Sequence, residues 1–366
     1  MTYLNAASAA LMYKPAADEI IRWQADLAEN GTLNFDELAE VRVHNDLHAA
    51  AASMLRARPS DIAVGSSATE LLSSLAWAMI PEEGQNIVST AAAHPTTIYP
   101  WQRVARHAGA ETRLAEMDQH GFVEPGKLLD LVDGGTAVLV ISHVEYRTGQ
   151  MYSLPELAET VHRHGGSLVV DATQSAGQVP IDVEATGVDA LVSSAYKWLC
   201  GPFGAAVMYL SPALGADLDP GQVGWRSHEE MWDFRADRLE YPQGARRFEA
   251  STMAYGCSLG LARSVEYLNQ LGVERILAHN TALTQLLCEE IRVRGGQILG
   301  TDDPGASSAI MSFELPGRDA AQIAEGLGRQ GVVLSERGGA LRVSPHVYND
   351  EGDIRRMLEE MDRLTG

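Results

Sequence analysis

Short apolar runs alternate with longer helical patterns from about residue 60 to residue 210, and this alternation predicts the heart of the fold. Ile62–Ser66, Asn86–Thr90, Glu111–Ala115, Ala137–Ser142, Ser167–Asp171, Ala190–Ser194 and Ala205–Leu210 read as strands. Val138-Leu139-Val140-Ile141 is apolar at every position, as a strand covered by helices on both faces requires. Between the runs, Glu70–Met79, Ile98–His107 and Leu154–His164 carry helical patterns. Such alternation predicts an α/β fold with a mostly parallel, doubly wound sheet that binds ligands at the carboxyl ends of its strands.

The texture changes after about residue 250. Two long helical stretches, roughly 254–272 and 273–294, lead to a strand at Ala309–Leu315 and a helix at Ala320–Arg329. Short strands at Val332–Ser335 and Leu341–Ser344 and a last helix from Asp350 follow. The expected division is an N-terminal arm (1–14) packing near the small domain, a large domain (15–253) and a small α+β domain (254–366). The weakly periodic segment Gly215–Gly244, with Trp225 and Trp232, predicts a long loop near the site or an interface.

A chain of 366 residues is long enough for such a two-part core. Its formal net charge of −21 opposes nucleic acid or an anionic membrane as a partner. The three cysteines, Cys200, Cys257 and Cys288, show no CxxC or metal-ligand spacing, which predicts reduced cytosolic thiols and no metal site. The N-terminus lacks the basic and apolar segments of a secretory signal, and no apolar stretch approaches the roughly 20 residues that span a bilayer. The expectation is a soluble cytoplasmic protein.

Positive charge is almost all arginine; the lysines are Lys14, Lys127 and Lys197. Lys197 lies in Ser193-Ser194-Ala195-Tyr196-Lys197-Trp198-Leu199-Cys200-Gly201-Pro202, after an apolar strand and before a turn. Apolar neighbours lower an amine's pKa and make it a nucleophile toward an aldehyde; the plain alternative is a strand-end lysine that snorkels to water. Gly65-Ser66-Ser67-Ala68-Thr69-Glu70, between a strand and a helix, combines small residues, hydroxyls and a helix N-terminus, as a phosphate cradle does. Simple N-capping by Ser67 or Thr69 is compatible with that role.

Asp171 ends an apolar strand and needs a partner, for which a protonated ring nitrogen is suited; capping the next turn is the alternative. His94 follows another strand and could stack on a planar ligand, though single histidines are more often structural. Arg342 could hold a carboxylate by two hydrogen bonds or make an ordinary surface ion pair. An aldehyde, a ring nitrogen, a phosphate and a flat face belong together in pyridoxal 5′-phosphate. A nucleotide-binding protein is disfavoured because neither G-x-x-x-x-G-K-[ST] nor a strand-linked GxGxxG is present, and a non-catalytic relative would lack the lysine or the aspartate.

With these motifs in order over nearly its whole length, the chain resembles the class V aminotransferase/cysteine desulfurase family of fold-type I pyridoxal-phosphate enzymes. The resemblance implies a seven-stranded sheet and a homodimer with shared active sites. It makes Lys197 the cofactor-bound lysine, Ser194 a phosphate ligand, Asp171 the partner of the pyridine nitrogen and Gln174 a contact of the ring oxygen. It assigns Ala68 and Thr69 to the phosphate, His94 to the ring face and Tyr146 to the ring oxygen region. Arg342, with Asn5, would hold the substrate. Phe248-Glu249-Ala250-Ser251-Thr252 resembles a Phe-Glu-x-Gly-Thr segment, so Thr252 would reach the partner subunit's phosphate.

The chain also departs from the family. Desulfurases take sulfur on a loop cysteine, and the corresponding stretch, Val333–Ala340, has none. Tyr196 replaces the usual histidine before the lysine, and Tyr146 stands where an asparagine is common. Both changes resemble the kynureninase, isopenicillin-N-epimerase and ergothioneine-type carbon–sulfur lyase branches. The expected reaction begins when a small α-amino acid displaces Lys197 and loses its Cα proton to it. It ends as a β-lyase reaction, with transamination or epimerisation as alternatives.

Overall fold

The computed structural model describes residues 1–216, 218–301, 303 and 305–365. Seven strands form the large sheet: β1 (Ile62–Gly65), β2 (Asn86–Thr90), β3 (Glu111–Ala115), β4 (Thr136–Ser142), β5 (Ser167–Asp171), β6 (Ala190–Ser194) and β7 (Ala206–Leu210). They lie in the order β1-β7-β6-β5-β4-β2-β3. Every pairing is parallel except those made by β7, which runs antiparallel to both neighbours. The mostly parallel sheet expected from the alternation is therefore present, with ends shifted by at most two residues.

Alternate side chains explain why the strands are apolar throughout. Val138, Val140, Val169 and Val192 pack on one face with Leu71, Leu75, Trp101 and Val104. Those partners lie on helices α1 (Ala68–Ala78) and α2 (Pro95–Ala108). Leu139, Ile141, Leu168 and Leu191 face the other way, onto Leu157, Val161, Leu261 and Val265. Each such fully buried side chain contributes about 1.5–3 kcal/mol, so both faces must be covered.

The helix α3 (Tyr255–Leu271), expected to begin the second part, packs mainly on Lys14–Asn30 and Asn45–Leu55. Its apolar face joins the core of the large sheet rather than that of the small one. The small sheet is antiparallel, with neighbours in the order Ser335–Arg337, Ala340–Val343, Met311–Glu314 and Gln297–Ile298. The expected strand Val332–Ser335 is divided: Val332–Val333 pairs with the N-terminal strand Thr2–Tyr3, and Ser335 begins a separate strand. That pairing pins the chain's start to its C-terminal part. No helix among the described residues is long and apolar enough to cross a membrane.

Candidate active site

The carboxyl ends of β1, β2, β4, β5 and β6 share one edge of the large sheet, where the chain order changes direction between β2 and β4. Ser67, Ala68, Thr69, His94, Tyr146, Asp171, Gln174, Ser194 and Lys197 all line one cavity there. Eight of these are residues the sequence assigned to one site, and Ser67 belongs to the same helix-start turn as Ala68 and Thr69; the cavity brings them together.

Asp171 is fixed from two sides. Thr97 Oγ1 donates to its Oδ2 at 2.7 Å, and the Thr173 amide donates to its Oδ1 at 2.9 Å. Thr97 is fully buried in the first turn of α2, and its hydroxyl also meets Ser142 Oγ at 3.1 Å. His94 caps that helix, with Nδ1 accepting from the Thr96 amide at 3.2 Å. That acceptor role leaves the proton of a neutral ring on Nε2. The imidazole is held below its ordinary value by burial and then by the nearby Lys197. Its ring meets Tyr146 edge-on, with centroids 5.2 Å apart.

Lys197 is buried, and among the described residues its amine has no hydrogen-bonding or ion-pair partner. Burial, followed by Arg342 and Arg337, pulls its pKa down to about 8 against the opposing pull of Asp171. The amine lies over the Tyr196 ring, 5.7 Å from its centroid, a weak contact that leaves it open to a covalent bond with an aldehyde. Gly177 lets the loop after Asp171 approach this turn: it has φ +95°, and an added Cβ would lie 2.4 Å from the Trp198 carbonyl oxygen.

Trp198 and Gln174 form a second fixed pair. The indole Nε1–H donates to Gln174 Oε1 at 2.8 Å, and Gln174 Nε2 donates to the Ala7 carbonyl at 3.0 Å. Because an indole N–H can only donate, the amide's orientation is determined, and one Nε2–H is left for an oxygen in the cavity. At α1, Ser67 Oγ accepts the Glu70 amide while Glu70 accepts the Ser66 amide at 2.8 Å, so the N-terminus is capped as well as exposed to the cavity. A ring-nitrogen partner, an unpartnered amine and a hydroxyl-lined helix start suit pyridoxal 5′-phosphate.

Arg342 and Asn5 sit beside the cavity. Arg342 is buried and donates from Nη1 to the Tyr146 carbonyl at 2.7 Å and from Nη2 to Ser8 Oγ at 2.6 Å. Its Nε has no partner among the described residues. Asn5 Oδ1 accepts from Ser335 Oγ at 2.5 Å. Thr252 lies outside the cavity; it is exposed, and its hydroxyl accepts from Trp225 Nε1 at 3.3 Å. Trp225, Trp232 and Phe234 cluster next to it within the segment expected to be a long loop.

Sequence reasoning missed Thr97, Thr173, Ser142, Ser8 and Ser335. Thr97 had a usable signal, since it lies one helical turn after His94. Ser8 and Ser335 had none, being 327 residues apart in sequence although their hydroxyls lie 3.1 Å apart.

The aminotransferase class-V family profile matches residues 2–357. A probable cysteine desulfurase of Methanothermobacter thermautotrophicus is 27% identical over 335 residues, covering 86% of this chain and 82% of the relative. The apo structure of a cysteine desulfurase from Thermococcus onnurineus superposes with a TM-score of 0.89 at 23% identity, covering 99% of this chain and 94% of that one. The cystine C–S lyase C-DES, in complex with its product cysteine persulfide, gives a TM-score of 0.88 at 24% identity over 98% and 97% of the two chains. At these identities the two structures bear on the fold alone.

Proposed function

The chain belongs to the aminotransferase class-V family of pyridoxal-phosphate enzymes, and from that membership we propose that it is a β-lyase acting on a small α-amino acid without an enzyme persulfide. The observation that carries the reading is the state of its thiols. The Val333–Ala340 stretch presents Ser335 instead of a cysteine, hydrogen-bonded to Asn5 and Arg342. Cys200 is buried, with its thiol pushed up to about 12. Cys257 and Cys288 are also raised by burial. A thiolate is the sulfur acceptor, and none of the three is poised to become one.

Pyridoxal 5′-phosphate, when bound, supplies the electron sink for charge that develops at Cα. The chain's own groups do the rest. Asp171, oriented by Thr97 and Thr173, would hold a proton on the ring nitrogen. Ser67, Ala68, Thr69 and Ser194 would hold the phosphate end, His94 would lie against the ring, and the free Gln174 N–H would donate to the ring oxygen. Arg342 fixes the substrate carboxylate, with Asn5 holding Ser335 beside it. Lys197, neutral above about pH 8 when unmodified, takes the Cα proton. Loss of the β-substituent then gives a thiol and 2-aminoacrylate, which one water hydrolyses to pyruvate and ammonia.

The same reading makes the protein a cytoplasmic homodimer in which Thr252 completes the partner's site; its exposed hydroxyl and the adjoining aromatic surface support that role. The test is to incubate the holoenzyme with cysteine S-conjugates and assay pyruvate and thiol. Equimolar release of both is expected. Stoichiometric pyridoxamine phosphate without pyruvate would overturn the lyase in favour of an aminotransferase.

A further inference from the structure

We propose that Arg337 forms a second anion subsite that selects α-amino acids carrying a carboxylate on the side chain. The proposal rests on Arg342 serving the α-carboxylate, as argued above. Arg337 Nη2 donates to Ser8 Oγ at 3.2 Å, the same hydroxyl that accepts from Arg342 Nη2 at 2.6 Å. Two guanidiniums therefore occupy both lone pairs of one serine. The Ser8 proton is left to point at Ser335 Oγ, which donates onward to Asn5.

This arrangement brings two like charges together, and one of them, Arg342, is only 1% exposed. Among the described residues neither arginine has an ion-pair partner. The chain has 49 acidic residues against 28 lysines and arginines, so paired arginines are the default, and elsewhere they are common. Arg337 itself is exposed, so the cost falls on Arg342: a buried cation with a second cation beside it is unfavourable unless an anion joins them. The charges of both reach Lys197, which places the pair within range of the reacting centre.

The loop that carries Arg337 is also tied down. Arg147 Nη2 donates to the Gly338 carbonyl at 3.1 Å, and the Glu336 carboxylate accepts from the Gly339 amide at 2.6 Å. Arg342 donates to the carbonyl of Tyr146, which lines the cavity, and the shared Ser8 hydroxyl ties Arg337 to that same edge. A protein of net charge −21 repels an amino acid with two carboxylates and a net negative charge at long range, and a local pair of cations is the device that offsets this.

The test uses charge-matched ligand pairs on the holoenzyme, with binding read from the cofactor's absorbance and from calorimetry. Glutamate against glutamine is a pair without a leaving group; S-carboxymethylcysteine against its carboxamide is a cleavable pair. The acidic member of each is expected to bind at least about tenfold more tightly, as a charge-assisted hydrogen bond implies. Arg337→Leu should bring that ratio close to one, Arg337→Lys should keep part of it, and Arg337→Glu should invert it. Equal binding in the wild type, or a ratio that survives Arg337→Leu, overturns the proposal. If Arg337→Leu weakens both members equally, the arginine serves the α-carboxylate and the proposal also fails. A wild-type preference for the acidic member of both pairs that Arg337→Leu abolishes, with no pyruvate from the cleavable one, sinks the lyase and leaves this subsite standing.

Discussion

The floor and the rim of the cavity are built on opposite principles. On the floor, Asp171 has both oxygens occupied by Thr97 and Thr173, and Gln174 is locked by Trp198 and Ala7. Apart from Ala7, which the N-terminal arm brings in, these groups follow the carboxyl ends of β2, β5 and β6 of one sheet. On the rim, Ser8, Ser335, Arg337 and Arg342 meet from the two ends of the chain, and two cations converge without a carboxylate. On the reading proposed above, the floor keeps a Gln174 N–H and the Lys197 amine for the cofactor and the rim keeps two cations for the substrate, so reaction class would belong to the floor and substrate choice to the rim.

The harshest way to break this comparison is Lys197→Ala. Turnover should fall by about 10⁴-fold, the upper range for a positioned acid–base group. Borohydride treatment followed by peptide mass analysis should find a phosphopyridoxyl adduct in the wild type and none in the variant. An adduct on Lys14 or Lys127 instead would detach the floor from the chemistry altogether. Next in size is Arg342→Leu, which should raise KM about 100-fold while kcat changes far less, from the loss of charge-assisted bonds to a carboxylate. A loss confined to kcat would mean that the rim acts on the transition state rather than on binding.

Thr97→Val sharpens the comparison from the floor side. It removes one of two donors to Asp171 and leaves the carboxylate's volume and charge in place. Cofactor affinity should weaken about tenfold, and Thr97→Ser should restore it. The readout is cofactor dissociation followed by absorbance, together with the pH titration of the bound chromophore, which a merely structural threonine would not move. An unchanged dissociation constant would show that the Thr173 amide alone orients Asp171.

How much of this could be seen in the sequence follows from the same contrast. Asp171, Ser194 and the Gly65 turn were legible because the apolar runs that end in them announce strand ends, whereas Thr97, inside the helix that follows β2, was missed. The sheet was legible for the same reason: strands buried on both faces read as unbroken Val, Ile and Leu. The rim was only half legible. Arg342 stood out by its motif, but nothing in Asn5-Ala6-Ala7-Ser8 says that it will lie against residues 335–342. That contact depends on Thr2–Tyr3 pairing with Val332–Val333, a two-residue strand with no pattern of its own. The helical period of α3 is clear in the sequence, while the partner of its apolar face depends on tertiary packing.

Glu145 tests the seam between floor and rim, and its effect on turnover should be the smallest. It is fully buried at the start of the loop that carries Tyr146, whose carbonyl holds Arg342. Its Oε1 accepts from Thr90 Oγ1 at 2.8 Å and from the Tyr152 hydroxyl at 3.0 Å, while its Oε2 has no partner among the described residues. Burial lifts its pKa from 4.5 to about 7. The folded state therefore keeps a proton that the unfolded chain releases between those two values. Stability from this group is present below about pH 4.5 and is lost as pH rises through about 7. Glu145→Gln cannot titrate, so its stability relative to wild type should improve with rising pH across that window, by up to about 3 kcal/mol. Urea unfolding at pH 5 and pH 8 measures the change. A pH-independent difference would mean that the carboxylate is already ionised in the fold, and the loop beneath Arg342 would then be held by charge rather than by a shared proton.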